Sequence, residues 1–144
     1  WCKKPLSVEW LPGAAAVYRK EVFSEFSFDE NLEGYSYNED LDFSYRVSRK
    51  YECRYIPFAK ILHHKSGNRL SSEVARALIV NNNYLLHKNI LPEKPFNIKT
   101  FHITTFYIAI FSFLFFLLIT GKFSAFNGGI SGLADVWGKK TVHK

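Results

Sequence analysis

The chain contains no methionine and only two cysteines, Cys2 and Cys53, in 144 residues. Two distant thiols without a Cys-x-x-Cys pair make neither a disulfide framework nor a structural zinc site, and reduced thiols in a cytosol-facing domain are the simplest state. Phosphate-binding loops are missing too. Neither a Gly-x-Gly-x-x-Gly fingerprint nor a Walker sequence occurs, which excludes those two routes to a nucleotide. The opening residues do not have the composition of a secretory signal, and Val8 to Leu11 already reads as a strand in mid-domain. Internal repeats and low-complexity tracts are absent as well.

Positive charge exceeds negative, with 19 Lys and Arg against 13 Asp and Glu and a net charge of +6. Such a balance raises nucleic-acid binding, but no nucleic-acid motif accompanies it and the lysines are dispersed. Anionic lipid headgroups or a diphosphate fit better, and no nucleic-acid partner is expected. Hydrophobic residues make up 47% and aromatic residues 17% of the chain, yet mean hydropathy is only -0.11. The apolar residues must therefore be concentrated, and they gather in the C-terminal half. Between Lys99 and Lys122 there is no Asp, Glu, Lys or Arg, and Phe, Ile and Leu dominate. That length suffices for a helix to cross or enter a bilayer. Beyond it, Phe123 to Trp137 reads as a short amphipathic helix at the membrane surface, with Lys139 and Lys140 facing headgroups.

Ahead of the apolar run, Gly13 to Val17 is a stretch of small residues able to lie close to another backbone or a ligand. Arg19 to Glu25 reads as a short helix. Ser27 to Tyr37 is loop-like with Gly34 as its break, and Asn38 to Lys50 reads as a helix. Arg54 to Ile56 and Lys60 to His63 read as strands joined around Pro57. Lys65 to Leu70 reads as a polar loop of the sort that closes over a ligand or simply covers surface. Ser71, with Glu73 behind it, signals the start of a helix running to about Asn89, interrupted by the polar Asn81-Asn82-Asn83. Pro92 and Pro95 then form a joint. The expected division is 1–70 as part of a catalytic domain, 71–99 as helix and joint, 100–121 as a transmembrane or membrane-inserted helix, and 122–144 as an amphipathic basic tail.

The chemistry-bearing stretch is Gly34 to Arg46. Glu39 and Asp40 stand together at the start of a helix, where the partial positive charge of the helix end favours an ionised Asp40. Leu41 and Tyr45, and Phe43 and Val47, are i,i+4 apolar pairs; Asp42 and Arg46 share that spacing and predict a surface ion pair. Arg46 reaching inward to Asp29 is the alternative. An ionised carboxylate beside a phosphate-bearing substrate suits activation of a hydroxyl by a general base.

Taken in order, these pieces resemble family-2 glycosyltransferases of the GT-A type, over Trp10 to His63. Trp10-Leu11-Pro12-Gly13-Ala14-Ala15 with Tyr18-Arg19 is similar to that family's small-residue strand, and Phe28-Asp29-Glu30 with Gly34-Tyr35 to its Phe-Asp-Glu loop. Glu39-Asp40-Leu41-Asp42 with Arg46 is similar to its Glu-Asp helix, and Ile56-Pro57 through His63 to its histidine-ending strands. The resemblance implies an α/β protein: a partial GT-A (nucleotide-diphospho-sugar transferase) fold followed by the hydrophobic helix and the short amphipathic one. It implies Asp40 as catalytic base, Glu39 as the residue orienting acceptor or base, and His63, rather than His64, as ligand of a divalent metal, Mn²⁺ or Mg²⁺. Imidazole tilts that choice toward manganese. The family's Asp-x-Asp nucleotide half has no counterpart here. The chain thus reads as the C-terminal part of a membrane-anchored enzyme whose metal is held mostly by the other half. Its partners would be a nucleotide-sugar donor, a lipid-linked or glycan acceptor, and the membrane, with catalysis on the cytoplasmic face.

Two departures stand out. Phe26-Ser27 and Tyr51-Glu52-Cys53 occupy places where many relatives have glycine, so the turn after the Glu-Asp helix must close without a left-handed residue. Two other readings compete: a non-catalytic membrane-anchored interaction module with a transferase-like fold, and a small basic binder of membrane surfaces.

Overall fold

A computed structural model describes residues 3–34, 37–64, 70–92 and 94–138. Among them the protein is mixed and mostly helical, with one small antiparallel sheet. The described residues fall into two compact units, one formed by Trp1–Glu30 with Asn38–Gly67, the other by Asn31–Tyr37 with Asn68–Lys144.

In the first unit, β1 (Leu6–Val8) pairs with β2 (Cys53–Tyr55), with Val8 opposite Cys53. The first strand therefore ends where Val8 to Leu11 was expected to begin, and Lys60 to His63 forms no strand. Pro57 and a turn at Phe58 follow β2 directly, and a proline removes the donor that a ladder would need. A single 3₁₀ turn covers Gly13–Ala15, α1 is Val22–Glu25, and α2 is Glu39–Ser48.

The core is built on α2. Phe43 and Val47, one turn apart, pack with Val22 and Cys53. The Phe43 ring stacks on Phe28 at 4.4 Å and on Phe23 at 5.6 Å, and meets Tyr18 edge-on at 5.1 Å. Such pairs add about 0.5–1.5 kcal/mol each beyond burial. The end of α2 confirms that no left-handed residue is needed: Arg49 stays right-handed, and the Lys50 and Tyr51 amides donate to the Val47 carbonyl at 3.0 and 2.8 Å. Lys50 and the Tyr51 hydroxyl both bind Glu25, which ties the helix exit to α1.

The Asp42–Arg46 pair forms, with Nε to Oδ2 at 2.9 Å, but it is not the surface pair expected from spacing. Asp42 is fully buried, and Arg46 also donates to the Ser27 carbonyl at 2.7 Å. The aromatic packing around Phe43 draws the adjacent residue inward, so the carboxylate depends on its partners rather than on water.

In the second unit, α3 is Ser72–Leu85, prolonged by a π turn over Leu86–Ile90. The Ser71 hydroxyl accepts from the Val74 amide at 3.2 Å, so the N-cap expected from sequence is realised. The helix α4 is Phe96–Ile119, starting after Pro95, and α5 is Phe123–Trp137. At 24 residues and mean hydropathy 2.1, α4 is long and apolar enough to cross a membrane. It ends at Gly121, whose φ of 69° permits the Lys122 amide to donate to Leu117 and the Gly121 amide to Leu118.

The helix α5, expected as a short amphipathic element, is packed along one face. It buries Ala125, Gly128, Gly129 and Gly132, small residues at i, i+3, i+4 and i+7, against α3 and α4. A Cβ on Gly128 would stand 2.0 Å from the Ser72 carbonyl oxygen, and one on Gly132 2.9 Å from that of Arg76. Absent side chains are what let α3 and α5 approach so closely. Lys139 and Lys140, expected to face headgroups, lie outside the described residues.

Residues 31–37 belong with these helices. Asn81, buried on α3, accepts from the Glu33 amide at 2.9 Å and donates to the Glu33 and Tyr37 carbonyls at 3.2 and 3.1 Å. Arg76 binds Glu33 at 2.5 Å and Asp135 of α5 at 2.7 Å. Burial works against its charge, but the two carboxylates outweigh that and hold the guanidinium above its ordinary value.

Candidate active site

The start of α2 brings together Asp40, Gly13 and Ser44. The left-handed Asn38 (φ 72°) turns the chain into the helix without a side-chain cap, which places the next residues on the first turn. Asp40 is half-buried there. Its Oδ2 accepts from the Gly13 amide at 2.5 Å and its Oδ1 from the Leu41 amide at 2.9 Å. Arg46 is taken up by Asp42, and no ion pair to Asp40 forms among the described residues. A carboxylate with one backbone donor per oxygen keeps lone pairs for a further hydroxyl.

Gly13 is needed for this approach. A Cβ there would meet the Asp40 Cβ at 2.8 Å and Oδ2 at 3.1 Å. The small-residue run expected to lie near a backbone or ligand thus lies against the candidate base itself. Ser44, one turn beyond Asp40 and fully buried, fixes the same segment from behind: its hydroxyl accepts from the Leu11 amide at 2.9 Å and donates to the Asp40 carbonyl at 2.7 Å. Sequence reasoning passed over Ser44. The signal was a hydroxyl set among apolar positions of the helix, where an unbonded one would be costly.

Tyr18 completes the group. Burial pushes its phenol above the ordinary value, a hydrogen bond with Ser44 opposes this, and the nearby Cys53 and Asp40 raise it further. Glu39, expected to orient the acceptor, is exposed at the first position of α2.

His63 and His64 are exposed beyond β2. Among the described residues, no three His, Cys, Asp or Glu side chains converge as a metal-binding group. One imidazole is too few donors to hold Mn²⁺ or Mg²⁺, so the described residues do not fit that metal by themselves. The loop expected over Lys65 to Leu70 lies, except for Leu70, outside the described residues.

An open cavity of about 580 Å³ lies beside this group, walled by Tyr18, Arg19, Val22, Tyr51, Cys53 and Arg54 among others, with Asp40 not part of the wall. Arg54 is already paired with Glu52 at 2.7 Å. Burial raises the Cys53 thiol above its ordinary value, which makes it a poor nucleophile.

The chain matches no protein-family model, no curated protein and no solved structure.

Proposed function

We propose that this chain carries the acceptor side of a membrane-associated glycosyltransferase, with Asp40 as the general base that takes a proton from the acceptor hydroxyl in an inverting displacement. The observation that carries this reading is the Asp40 carboxylate, held by the Gly13 and Leu41 amides and paired with no cation among the described residues. A base must be oriented but not tied up in an ion pair, and the two backbone amides orient this carboxylate without a cationic partner. The order of motifs from Trp10 to His63 supplies the reaction class. Glu39, exposed one residue earlier, is suited to contact the acceptor. The nucleotide-sugar donor and most ligands of a divalent metal would be held by sequence outside these 144 residues, with His63 contributing at most one donor. The mechanism at Asp40 needs no metal for its own step. Attachment to the membrane would come through α4, with the first unit on the cytoplasmic side.

The test is Asp40→Asn in the full-length protein, assayed with nucleotide-sugar donors. Asparagine keeps one acceptor oxygen for the Gly13 amide and gives up the bond to the Leu41 amide, so circular dichroism of the variant accompanies the assay to show that the fold is retained while the basicity is lost. Turnover is expected to fall about 10²-fold or more with donor binding kept. Turnover near that of the unmodified protein would leave Asp40 a structural acceptor for Gly13, and the non-catalytic module would then be the better reading.

A further inference from the structure

The peptide between Tyr37 and Asn38 is where the chain passes from one compact unit to the other. On its C-terminal side stands Asn38, at φ 72° and ψ 21°. The Asn38 carbonyl accepts from the Asp42 amide at 3.0 Å, the bond that opens α2. A left-handed residue other than glycine persists only where its surroundings hold it. With planar peptides on either side, the φ and ψ of this one residue set the direction of the first turn, and with it the place of the Asp40 carboxylate.

On the N-terminal side of the same peptide, the Tyr37 carbonyl accepts from Asn81 Nδ2 at 3.1 Å. That nitrogen also donates to the Glu33 carbonyl at 3.2 Å, while Asn81 Oδ1 accepts from the Glu33 amide at 2.9 Å. Asn81 is buried, and these bonds engage both its hydrogens and its oxygen, so the amide is held in one orientation. Other contacts press the segment onto α3. Leu32 is buried, a Cβ on Gly34 would stand 3.3 Å from that of Ala77, and Arg76 binds Glu33. Of these contacts, only the Asn81 amide reaches the peptide next to Asn38.

We propose that Asn81 is a positioning residue for Asp40: its hold on the Tyr37 carbonyl fixes the peptide leading into the left-handed Asn38, and thereby the turn on which Asp40 meets the Gly13 amide. Fully buried, Asn81 acts through the backbone and not on substrate. Without it the Tyr37–Asn38 peptide is free to rotate, Asn38 relaxes toward the right-handed region, and the carboxylate swings away from Gly13. A helix of the second unit thus carries part of the geometry of the base. The inference rests on the reading of Asp40 as the base.

The experiment uses the full-length protein with Asn81→Asp and Asn81→Ser. Aspartate keeps the shape and the acceptor for the Glu33 amide but has no donor for the Tyr37 carbonyl. Serine is neutral, so a fold lost to a buried charge in the first variant does not decide the result. Glu33→Gln is the control, since it weakens the Arg76 contact and leaves the bonds of Asn81 in place. Hydrogen exchange at the Gly13 and Asp42 amides should be faster in the Asn81 variants and unchanged in the control, with helix content kept throughout. Turnover with a nucleotide-sugar donor should fall about tenfold or more in the Asn81 variants, with the KM for donor unchanged. Unchanged exchange at Gly13 and Asp42 would overturn the inference independently of the sugar chemistry, and so would a control that matches the Asn81 variants. Faster exchange with undiminished turnover, where Asp40→Asn does lower turnover, would overturn it and leave Asp40 as the base. Undiminished turnover in Asp40→Asn as well would remove the base reading, and the part of Asn81 in the reaction with it.

Discussion

Asp42 and Arg46 stand at a spacing that ordinarily gives a surface pair worth a few tenths of a kcal/mol, but burial changes what their loss would do. With Asp42 fully enclosed, removing Arg46 leaves a carboxylate whose charge water cannot reach. Arg46→Leu should therefore destabilise the protein by about 3–5 kcal/mol, read as a lower urea midpoint. A change within a few tenths would return the pair to the surface class. The spacing was visible in the sequence. The burial was not, because it follows from Phe28 and Phe23 stacking on Phe43 from segments well outside the helix. Asp40 shows the same limit: its place at a helix start could be read locally, while its bond to Gly13, 27 positions away, could not.

Cys53 gives a second test at this scale. Burial raises its pKa above the ordinary thiol value. The neutral thiol is therefore favoured in the folded chain, and its contribution to stability is intact below the unfolded-state pKa. It is lost as pH rises through the folded-state pKa. Alkylation of Cys53 by iodoacetamide should accordingly be slower in the folded protein than in urea at pH 8, and stability should decline above about pH 9. Equal alkylation rates in the two states would show that the thiol is not buried.

Among the elements, α5 had bounds that were legible from Phe123 to Trp137 and a role that was not. Glycines among Phe, Ile, Leu and Val suggest a weak helix at a membrane surface; in the fold they form the seam with α3. Glycine lowers helix propensity by about 1 kcal/mol per residue, so only close packing explains three of them on one stripe. Gly128→Ala sets a methyl group against a backbone carbonyl that cannot rotate away. It should destabilise the protein by about 1–3 kcal/mol at least, whereas Ser131→Ala on the exposed side should stay within about 0.5 kcal/mol. Thermal melts of the two variants separate these outcomes, and equal melting temperatures would contradict the seam. The strand reading fared differently. Val8 was legible as part of a strand, but β1 lies at Leu6–Val8 because its register is set by β2, a partner 45 positions along the chain at the Val8–Cys53 pair.

For the molecule as a whole, the chain does not finish one unit before starting the next. Residues 31–37 interrupt the first unit and belong with the helices of the second. Three asparagines in succession look, in sequence, like a break in a helix; Asn81 is instead the clamp on that segment, with three hydrogen bonds to backbone groups. Asn81→Leu keeps much of the volume but strands buried backbone groups, each costing about 1–3 kcal/mol. Limited proteolysis should then cut within 31–37 in the variant while sparing it in the unmodified chain. Equal resistance would mean that Arg76 and Leu32 hold the segment unaided.

The same clamp has a consequence for synthesis. Asn81 leaves the ribosome 48 residues after Glu33, an interval of roughly 2–10 s at ordinary elongation rates. Until α3 emerges, the Glu33 carboxylate also lacks the Arg76 guanidinium, which follows it by 43 residues. The nascent chain must carry the segment as an unfilled loop, a period in which a chaperone could occupy it and in which slowing translation past α3 would lengthen its exposure.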